Sequence, residues 1–306
     1  MVSEGKRVLV AGSINTDLVV RTRRAPEAGE TVTGTSFAQF GGGKGANQAV
    51  AAARAGGRVA MLSGVGVDDF GRQRIADLTA ESVETATVLV TEAASSGVAL
   101  ITVEESGQNR IAYVPGAGWK VSPSDALTAF DRWNPDFVLS TLELPHASLM
   151  ALYAAARDRG VPIVCNATPE PSDGRDLVAL ANVLIVNEQE ALELAQMEGQ
   201  DDWVTVAETL ASLGPVTVVI TLGEKGAIVW DAGRPASVPT IEVDVVDTTG
   251  AGDAFCGAFT AFLAGGASAT EAAQKAVVAG SIAVTRPGAQ PSVATLAEIE
   301  SAFARL

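Results

Sequence analysis

Apolar positions along the chain fall into short runs and longer periodic stretches that follow one another. Short apolar runs without helical period predict buried strands, and stretches with apolar residues three and four apart predict helices. The predicted strands are residues 8–11, 59–63, 137–140, 162–165, 183–186, 216–221 and 227–230. The predicted helices are an alanine-rich one that opens at 41–45 and ends at Ala55, then 70–80, 123–132, 146–159, 188–197, 202–213, 251–264, 268–285 and 295–304. This alternation predicts an α/β fold with a mainly parallel sheet covered on both faces.

Two regions depart from the alternation and predict a small β-appendage. Residues 18–20 and 31–40 are rich in β-branched side chains without helical period, and residues 87–114 hold three short strand patterns, 87–91, 97–103 and 109–114. The sequence contains no repeat or flexible linker. We therefore expect one domain over residues 1–306, with the appendage built mainly from about 18–40 and 97–114.

The composition excludes several classes of function. The chain has 306 residues, 47% of them hydrophobic, and a formal charge of −15 with no basic stretch, which argues against nucleic-acid binding. The two cysteines, Cys165 and Cys256, lie in apolar patterns typical of free thiols in a reducing compartment. The polar start argues against a signal peptide, and the most apolar run, 254–264, is too short to span a bilayer. We expect a cytoplasmic protein without membrane contact.

Residues 247–253, Asp-Thr-Thr-Gly-Ala-Gly-Asp, carry the most informative chemistry. A glycine-rich loop that opens a helix directs main-chain N–H groups and the positive end of the helix dipole toward an anion, above all a phosphate. A carboxylate such as Asp253 does not suit a pure phosphate cradle. It does suit a phosphoryl-transfer enzyme that must take a proton from an alcohol. The chain's single histidine, His146, lies at a predicted helix start, which increases the importance of Asp253 as a base.

The glycines of 41–43 do not form a known nucleotide motif. Lys44 is followed by Gly45, whereas a P-loop requires Ser or Thr there to bind Mg²⁺, and no dinucleotide fingerprint follows the first strand. The glycines serve either as a close approach of two backbone segments or as the hinge of a lid. In the second case Lys44 and Asn47 would contact a polyol.

Polar residues follow several predicted strands and are open to two interpretations. Asn15 and Asp17 either form a local turn or bind vicinal hydroxyls, and Glu143 either caps a helix or binds a sugar. Asn187 and Glu190 have the spacing of a capping box, but they could also bind a phosphate and a water of Mg²⁺. Residues 221–226 are either a hairpin loop or the rim of a nucleotide site. Because ligands bind beyond the carboxyl ends of parallel strands, one cleft could collect Asn15, Asn166, Asn187 and Thr221.

In this order, the motifs resemble the ribokinase-like sugar kinase family over nearly the whole chain. They are Gly-Ser-Ile-Asn-Thr-Asp (12–17), Gly-Glu-Thr-Val-Thr-Gly (29–34), Gly-Gly-Lys-Gly-Ala-Asn-Gln-Ala (42–49), Ser-Gly-Val-Ala-Leu-Ile (96–101), Leu-Glu (142–143), Asn-x-x-Glu (187–190), Thr-Leu-Gly (221–223), Asp-Thr-Thr-Gly-Ala-Gly-Asp (247–253) and Ala-Val-Thr-Arg-Pro-Gly-Ala-Gln-Pro-Ser (283–292). The first, third and last favour ribose over fructose or a nucleoside as the substrate.

The resemblance implies a doubly wound α/β domain with a β-sheet lid that clasps the lid of a second subunit. It implies transfer of phosphate from ATP to O5 of D-ribose, with Mg²⁺ and activation by K⁺. It implies sugar contacts by Asn15, Asp17, Gly43, Lys44, Asn47, Glu143 and Asp253. It implies catalysis by Asp253 as base, with the N–H groups of Gly250, Ala251 and Gly252 around the transferred phosphoryl group.

The same resemblance assigns the nucleotide and the cations. The ATP site would be lined by Asn187, Thr221, Gly223, Gly226 and Gly252. Glu190 would act on Mg²⁺ through water. The K⁺ site would be formed, largely through carbonyls, by Asp247, Thr249, Ala283, Arg286, Gly288 and Ser292. Gly118 stands where the family commonly shows asparagine, and Val277 where a polar residue often meets the adenine.

Two other functions remain open at this point. One is a kinase of the same fold that acts on another sugar or nucleoside. The other is a sugar-binding protein without catalysis, although that class would be expected to lose Asp253, Gly250 or Gly252.

Overall fold

The structure is a computed structural model that describes residues 5–306. The strands are β1 (Arg7–Ala11), β2 (Asn15–Thr22), β3 (Gly34–Gly42), β4 (Arg58–Leu62), β5 (Gly64–Gly66), β6 (Leu89–Thr91), β7 (Gly97–Glu104), β8 (Asn109–Val114), β9 (Phe137–Ser140), β10 (Ile163–Asn166), β11 (Val183–Asn187), β12 (Thr217–Thr221), β13 (Ala227–Asp231) and β14 (Arg234–Val238). The helices are α1 (Lys44–Arg54), α2 (Asp69–Ala80), α3 (Pro123–Trp133), α4 (His146–Asp158), α5 (Arg175–Leu180), α6 (Glu188–Ala195), α7 (Trp203–Ala211), α8 (Ala251–Ala264), α9 (Ala269–Ala283) and α10 (Leu296–Phe303).

The main sheet has eight strands in the order β14-β13-β12-β11-β10-β9-β1-β4. The six strands from β12 to β4 are parallel, and β13 and β14 add an antiparallel edge. Side chains along β1 alternate between two hydrophobic cores: Val8 and Val10 pack with α1, α8 and α9, whereas Leu9 and Ala11 pack with α3, α4, α6 and α7. The predicted doubly wound α/β fold is confirmed.

A second sheet, in the order β3-β2-β7-β8, stands apart from the main one. Strand β2 follows the carboxyl end of β1, and β3 runs directly into α1. Register and pleat place Leu18 and Leu100 on one face, and Asp17 and Ile111 on the other. Large apolar side chains are exposed on both faces, including Phe37 at 64% and Ile111 at 57%. We call this sheet the β-appendage.

One strand expected in the β-appendage lies elsewhere. Strand β6 pairs with β5, in a two-stranded sheet of its own. The reason is local anchoring: the N–H of Leu89 donates to Ser63 O, the hydroxyl of Thr87 donates to Met61 O, and Val88 is buried in the main core.

Helix boundaries follow capping residues rather than the ends of the apolar patterns. Helix α9 begins after Ser268 and α10 after Thr295, and in each the N-cap side chain and the glutamate three residues later form a capping box. Both cysteines are buried and free. None of the helices in residues 5–306 is long and apolar enough to cross a membrane.

Candidate active site

The loop before α8 is held open as an anion-binding turn. Gly250 is the N-cap with φ of 76°, and a Cβ there would lie 2.9 Å from the Cα of Ala289. Asp247 fixes the loop, because its carboxylate accepts from the N–H groups of Thr249 and Gly288, each at 2.9 Å. Within the described part of the chain, the N–H groups of Gly252 and Asp253 have no acceptor. The helix start therefore offers unpaired donors to an anion.

Asp253 lies in the first turn of α8 and faces α1. Its Oδ2 accepts from Asn47 Nδ2 at 2.9 Å, and its Oδ1 accepts from Gln48 Nε2 at 3.0 Å. Burial raises the pKa of Asp253 to about 6, although these two hydrogen bonds and the charge of Lys44 act against the rise, while Glu143 adds to it. A carboxylate with this pKa is ionised at neutral pH and is more basic than an exposed one, as a general base requires.

Glycines bring α1 against the end of β1. A Cβ on Gly45 would lie 2.6 Å from the Cα of Gly12, and a Cβ on Gly43, whose φ is 94°, would lie 2.6 Å from Ser13 O. The N–H of Ala46 donates to Ser13 O at 2.9 Å. Of the two interpretations of these glycines, a close approach is observed at Gly43 and Gly45. It places Lys44 and Asn47 beside the first strand end.

The predicted sugar contacts converge at the same place. Glu143 Oε2 accepts from Ser13 N at 3.1 Å, Ser13 Oγ at 2.7 Å and Thr141 Oγ1 at 3.0 Å. Asn15 Oδ1 and Asn47 Oδ1 are buried and have no hydrogen-bond donor among residues 5–306. Burial raises the pKa of Asp17, and the charge of Arg74 opposes this. The site thus holds several acceptors that suit a ligand with many O–H groups.

A pocket of about 180 Å³ adjoins Asp253 on the other side. Its lining is Lys44, Asn166, Thr168, Ile185, Val186, Asn187, Glu190, Thr221, Gly250, Gly252, Asp253 and Cys256. The carboxyl ends of β10, β11 and β12 therefore meet there. Of the four strand-end residues expected to share one cleft, Asn166, Asn187 and Thr221 line this pocket and Asn15 does not.

Asn187 and Glu190 form the capping box at this pocket, with both bonds at 2.9 Å. Burial raises the pKa of Glu190. Gly223 and Gly226 do not line the pocket. A Cβ on Gly226 would lie 2.0 Å from Val238 O, so this glycine is required by the turn, whereas Gly223 faces open space.

The residues assigned to the monovalent cation lie at one junction. Val246 and Asp247 donate their N–H groups to Val284 O, and Asp247 also binds Gly288 N. The other side chains are engaged locally: Arg286 pairs with Glu298 at 2.6 Å, and Ser292 Oγ donates to Ala289 O. The loop at 247–249, the end of α9 at Ala283 and residues 286–292 are thus held together.

Besides Asp253, the described lining of the pocket at the anion site has one carboxylate, that of Glu190, placed where a divalent cation could be held. Among the described residues, no three His, Cys, Asp or Glu side chains are grouped so that they could hold a metal. Mg²⁺ is commonly bound through one or two carboxylates plus water and substrate phosphates, which a single Glu190 beside an anion site fits. His146 plays no part here, because it lies exposed and pairs with Asp176 at 2.9 Å.

Comparison with known proteins assigns the family. Residues 6–296 match the pfkB family carbohydrate kinases. The chain belongs to this family. Among curated relatives, the ribokinase of Schizosaccharomyces pombe is 36% identical with 97% of each chain covered, and that of Bacillus subtilis is 37% identical with 96% of this chain and 98% of the relative covered.

Solved structures of ribokinases share the fold of this chain. The Arabidopsis thaliana ribokinase complexed with ribose and ATP superposes with a TM-score of 0.90 at 29% identity, covering 98% of this chain and 99% of that one. The ribokinase of Thermotoga maritima gives 0.87 at 30% identity, covering 98% and 100%.

Three residues at this site were not identified by the sequence analysis. Gln48 binds Asp253 directly and was detectable, because it lies one helical turn after Lys44 and faces the same way. Tyr113 of β8 lies near Asn15 and Glu143; partial burial, with the charge of Glu143, raises its pKa. Arg74 of α2 is 6% exposed, and its Nε and Nη1 have no hydrogen-bond partner in the described part of the chain. No local signal in the sequence places the last two near the site.

Proposed function

We propose that the chain catalyses ATP-dependent phosphorylation of D-ribose at O5, giving D-ribose 5-phosphate and ADP. The observation that carries this proposal is the position of Asp253. On one side of its carboxylate are the unpaired N–H groups at the start of α8. On the other are the buried, unpaired amide oxygens of Asn15 and Asn47, which could accept from sugar hydroxyls. A proton donor and a phosphoryl group would meet at that point.

In this mechanism Asp253 accepts the proton of the sugar hydroxyl as its oxygen attacks the γ-phosphoryl group in line. General base catalysis of this kind contributes about 10²–10⁴-fold to the rate. The N–H groups of Gly250 and Gly252 would stabilise the charge that develops on the transferred group, and that of Ala251 would join them on releasing Thr248 O, to which it donates at 3.3 Å. Each such preorganised donor contributes on the order of 3–4 kcal/mol. Closure of the β-appendage as a lid would exclude water as a competing acceptor.

The acceptors at the site match a ligand with several hydroxyl groups, such as a sugar. Asn15, Asp17, Asn47 and Glu143 present acceptors to a polyol, and Gly42 leaves room for this arrangement, since a Cβ there would lie 2.3 Å from Asp17 Oδ2. Gly43 and Lys44 lie at the same junction. Relatives named as ribokinases support D-ribose as the sugar. A Salmonella typhi deoxyribokinase, 32% identical over 93% of this chain, makes another sugar the main alternative.

ATP would occupy the pocket lined by Asn187, Thr221 and Gly252, with Gly223 and Gly226 at its outer edge. Glu190 would hold Mg²⁺ through water, and Mg²⁺ supplies neutralisation of the phosphate charge. K⁺ would bind at the junction of Asp247, Thr249, Ala283, Arg286, Gly288 and Ser292. This assignment of K⁺ is supported by the contacts that join these residues to the loop before α8, which carries the anion site.

The β-appendage would serve as lid and as the surface for a homodimer. The exposed apolar side chains on the face away from Asp17, Phe37 and Leu100 among them, support a second copy as the partner. The two free thiols support a reducing compartment, and we place the protein in the cytoplasm.

The deciding experiment combines a substrate panel with Asp253→Asn. Purified protein is assayed for ATP turnover with ribose, deoxyribose, fructose and nucleosides, and ribose should give the highest kcat/KM. Asp253→Asn should lose at least tenfold in kcat with its fold intact. A smaller loss removes Asp253 as the base, and preference for another substrate reassigns the sugar. Ribose binding without ATP turnover would instead indicate a sugar-binding protein.

The K⁺ assignment is tested separately. Activity should be higher in K⁺ than in Na⁺ at equal ionic strength, and Asp247→Asn should reduce the difference. Equal rates in Na⁺, K⁺ and Cs⁺ would contradict the assignment.

A further inference from the structure

Gln48 connects the carboxylate of Asp253 to the main sheet. The side chain is completely buried, and its Nε2 lies 3.0 Å from Asp253 Oδ1 and 2.9 Å from Asn166 Oδ1. Asn166, at the end of β10, is itself held by the next strand, because its Nδ2 donates to Ile185 O of β11 at 3.1 Å. Two amides thus link a main-chain carbonyl to the carboxylate.

The orientation of both amides follows from that carbonyl. Ile185 O can only accept, so Asn166 must turn its NH₂ group toward β11 and its Oδ1 toward Gln48. Gln48 must then present its own NH₂ group to Asn166. An amide nitrogen carries two hydrogens, and the second points at Asp253. A backbone atom of the sheet therefore decides that Gln48 meets Asp253 as a donor.

We propose that Asn166 and Gln48 form an amide relay that positions Asp253 and keeps it available as a base. In this proposal, which rests on the proposed function of Asp253, Gln48 is a positioning residue. It fixes Oδ1 while Asn47 fixes Oδ2, so the plane of the carboxylate is set. The remaining lone pairs are left for the sugar hydroxyl.

The relay also selects the charged form of Asp253. Donors stabilise a carboxylate, whereas a reversed Gln48 amide would turn its oxygen toward Asp253 and stabilise the protonated acid. The other charged or titratable groups that act on Asp253 are Lys44 from α1, Glu143 after β9 and, on its own helix, the thiol of Cys256. Each of these groups acts on Asp253 directly. Asn166, in contrast, acts on Asp253 only through Gln48.

This dependence makes a double-mutant cycle decisive. Gln48→Leu should lower kcat by about 10- to 100-fold, because it removes a hydrogen bond to a charged group. It should also move the acidic limb of the kcat/KM profile about one pH unit upward. Asn166→Leu should move the limb in the same direction by less. The double variant should be no worse in kcat than Gln48→Leu alone, since Asn166 acts through Gln48.

The controls separate this relay from packing and from the wider function. Gln73→Leu, at an exposed glutamine of α2, should leave kcat and its pH dependence unchanged. Gln48→Met keeps volume and flexibility if Gln48→Leu does not fold. Because Asn166 lines the nucleotide pocket, a direct contact with ATP would appear in the KM for ATP rather than in the acidic limb.

Asp253→Asn is assayed alongside. If it is inactive while the two leucine variants are additive in kcat, or leave the acidic limb in place, the relay is wrong and the base assignment stands. If Asp253→Asn remains active, the proposed function of Asp253 fails first.

Discussion

Ionised Asp253 should make the protein less stable at neutral pH. Burial raises the pKa of this carboxyl from its ordinary value of 3.8 to about 6 in the folded chain. Between these two pH values, Asp253 is therefore more fully protonated in the native state than in the unfolded state. Its contribution to stability is complete below about pH 3.8 and is lost as the pH rises through about 6.

The size of the effect follows from the two pKa values. They differ by about two, which corresponds to about 3 kcal/mol in the free energy of unfolding. Asp253→Asn removes the titrating group. It also replaces one of the two carboxylate oxygens by an NH₂ group, so either Asn47 or Gln48 loses its acceptor. That loss is independent of pH. The difference in stability between variant and wild type should therefore move by about 3 kcal/mol in favour of the variant from pH 3.5 to pH 8.

Urea unfolding of both proteins at closely spaced pH values measures this difference. Asp247→Asn serves as the control of opposite sign. Although partial burial acts to raise the pKa of Asp247, hydrogen bonds from Thr249 and Gly288 lower it overall. Its contribution is present at neutral pH and is lost as the pH falls. A difference curve for Asp253→Asn that is flat between pH 4 and pH 7 would refute the reasoning.

Three further predictions follow from single contacts. Gly45→Ala should cost about 1–3 kcal/mol in stability, because its Cβ would overlap the backbone of Gly12, whereas Gly118→Ala, with nothing within 4 Å of its Cβ, should be neutral in the same thermal melts. Arg74→Met should raise the KM for ribose, and more so as the pH is lowered, because the charge of Arg74 opposes the rise that burial causes in the pKa of Asp17; an increase that does not depend on pH would contradict this. Leu100→Lys should convert the proposed dimer to a monomer by light scattering, whereas Ile111→Lys, on the opposite face of the β-appendage, should not; a wild type that is already monomeric at micromolar concentration would exclude the dimer.

The sequence predicts most strands and helices of the main domain because those elements carry their own signal, although α5 and β14 were not predicted. Strands β1, β4 and β9 to β12 are short apolar runs, and helices α9 and α10 begin directly after Ser268 and Thr295, whose side chains cap them. Strand β14 was not predicted because it is a short edge strand that contains Pro235. It forms through its pairing with β13, which a local sequence pattern does not show. Strand β6 was placed in the wrong sheet, since its partner depends on where Thr87 and Val88 are anchored.

The site shows the same division between local and distant information. The 247–253 loop, Lys44 and Asn47 stand in recognisable motifs, so their chemistry could be proposed from the residues themselves. Gln48 acquires its role only by meeting Asp253, 205 positions away in the chain, and Arg74 only by facing the turn from β3 into α1. Contacts of this kind are set by the packing of α1, α2 and α8 and leave no pattern in a local window.

The β-appendage begins within the sugar site. Asn15 is the first residue of β2 and pairs with Gly42 of β3 and Gly97 of β7, so a proposed sugar ligand belongs to the hydrogen-bonded ladder of the sheet. If two subunits join through that sheet, subunit association and sugar binding act on one structural unit. Thermodynamic reciprocity then requires that each changes the affinity of the other by the same factor. The affinity for ribose would depend on protein concentration, and dilution would alter substrate recognition as well as molecular mass.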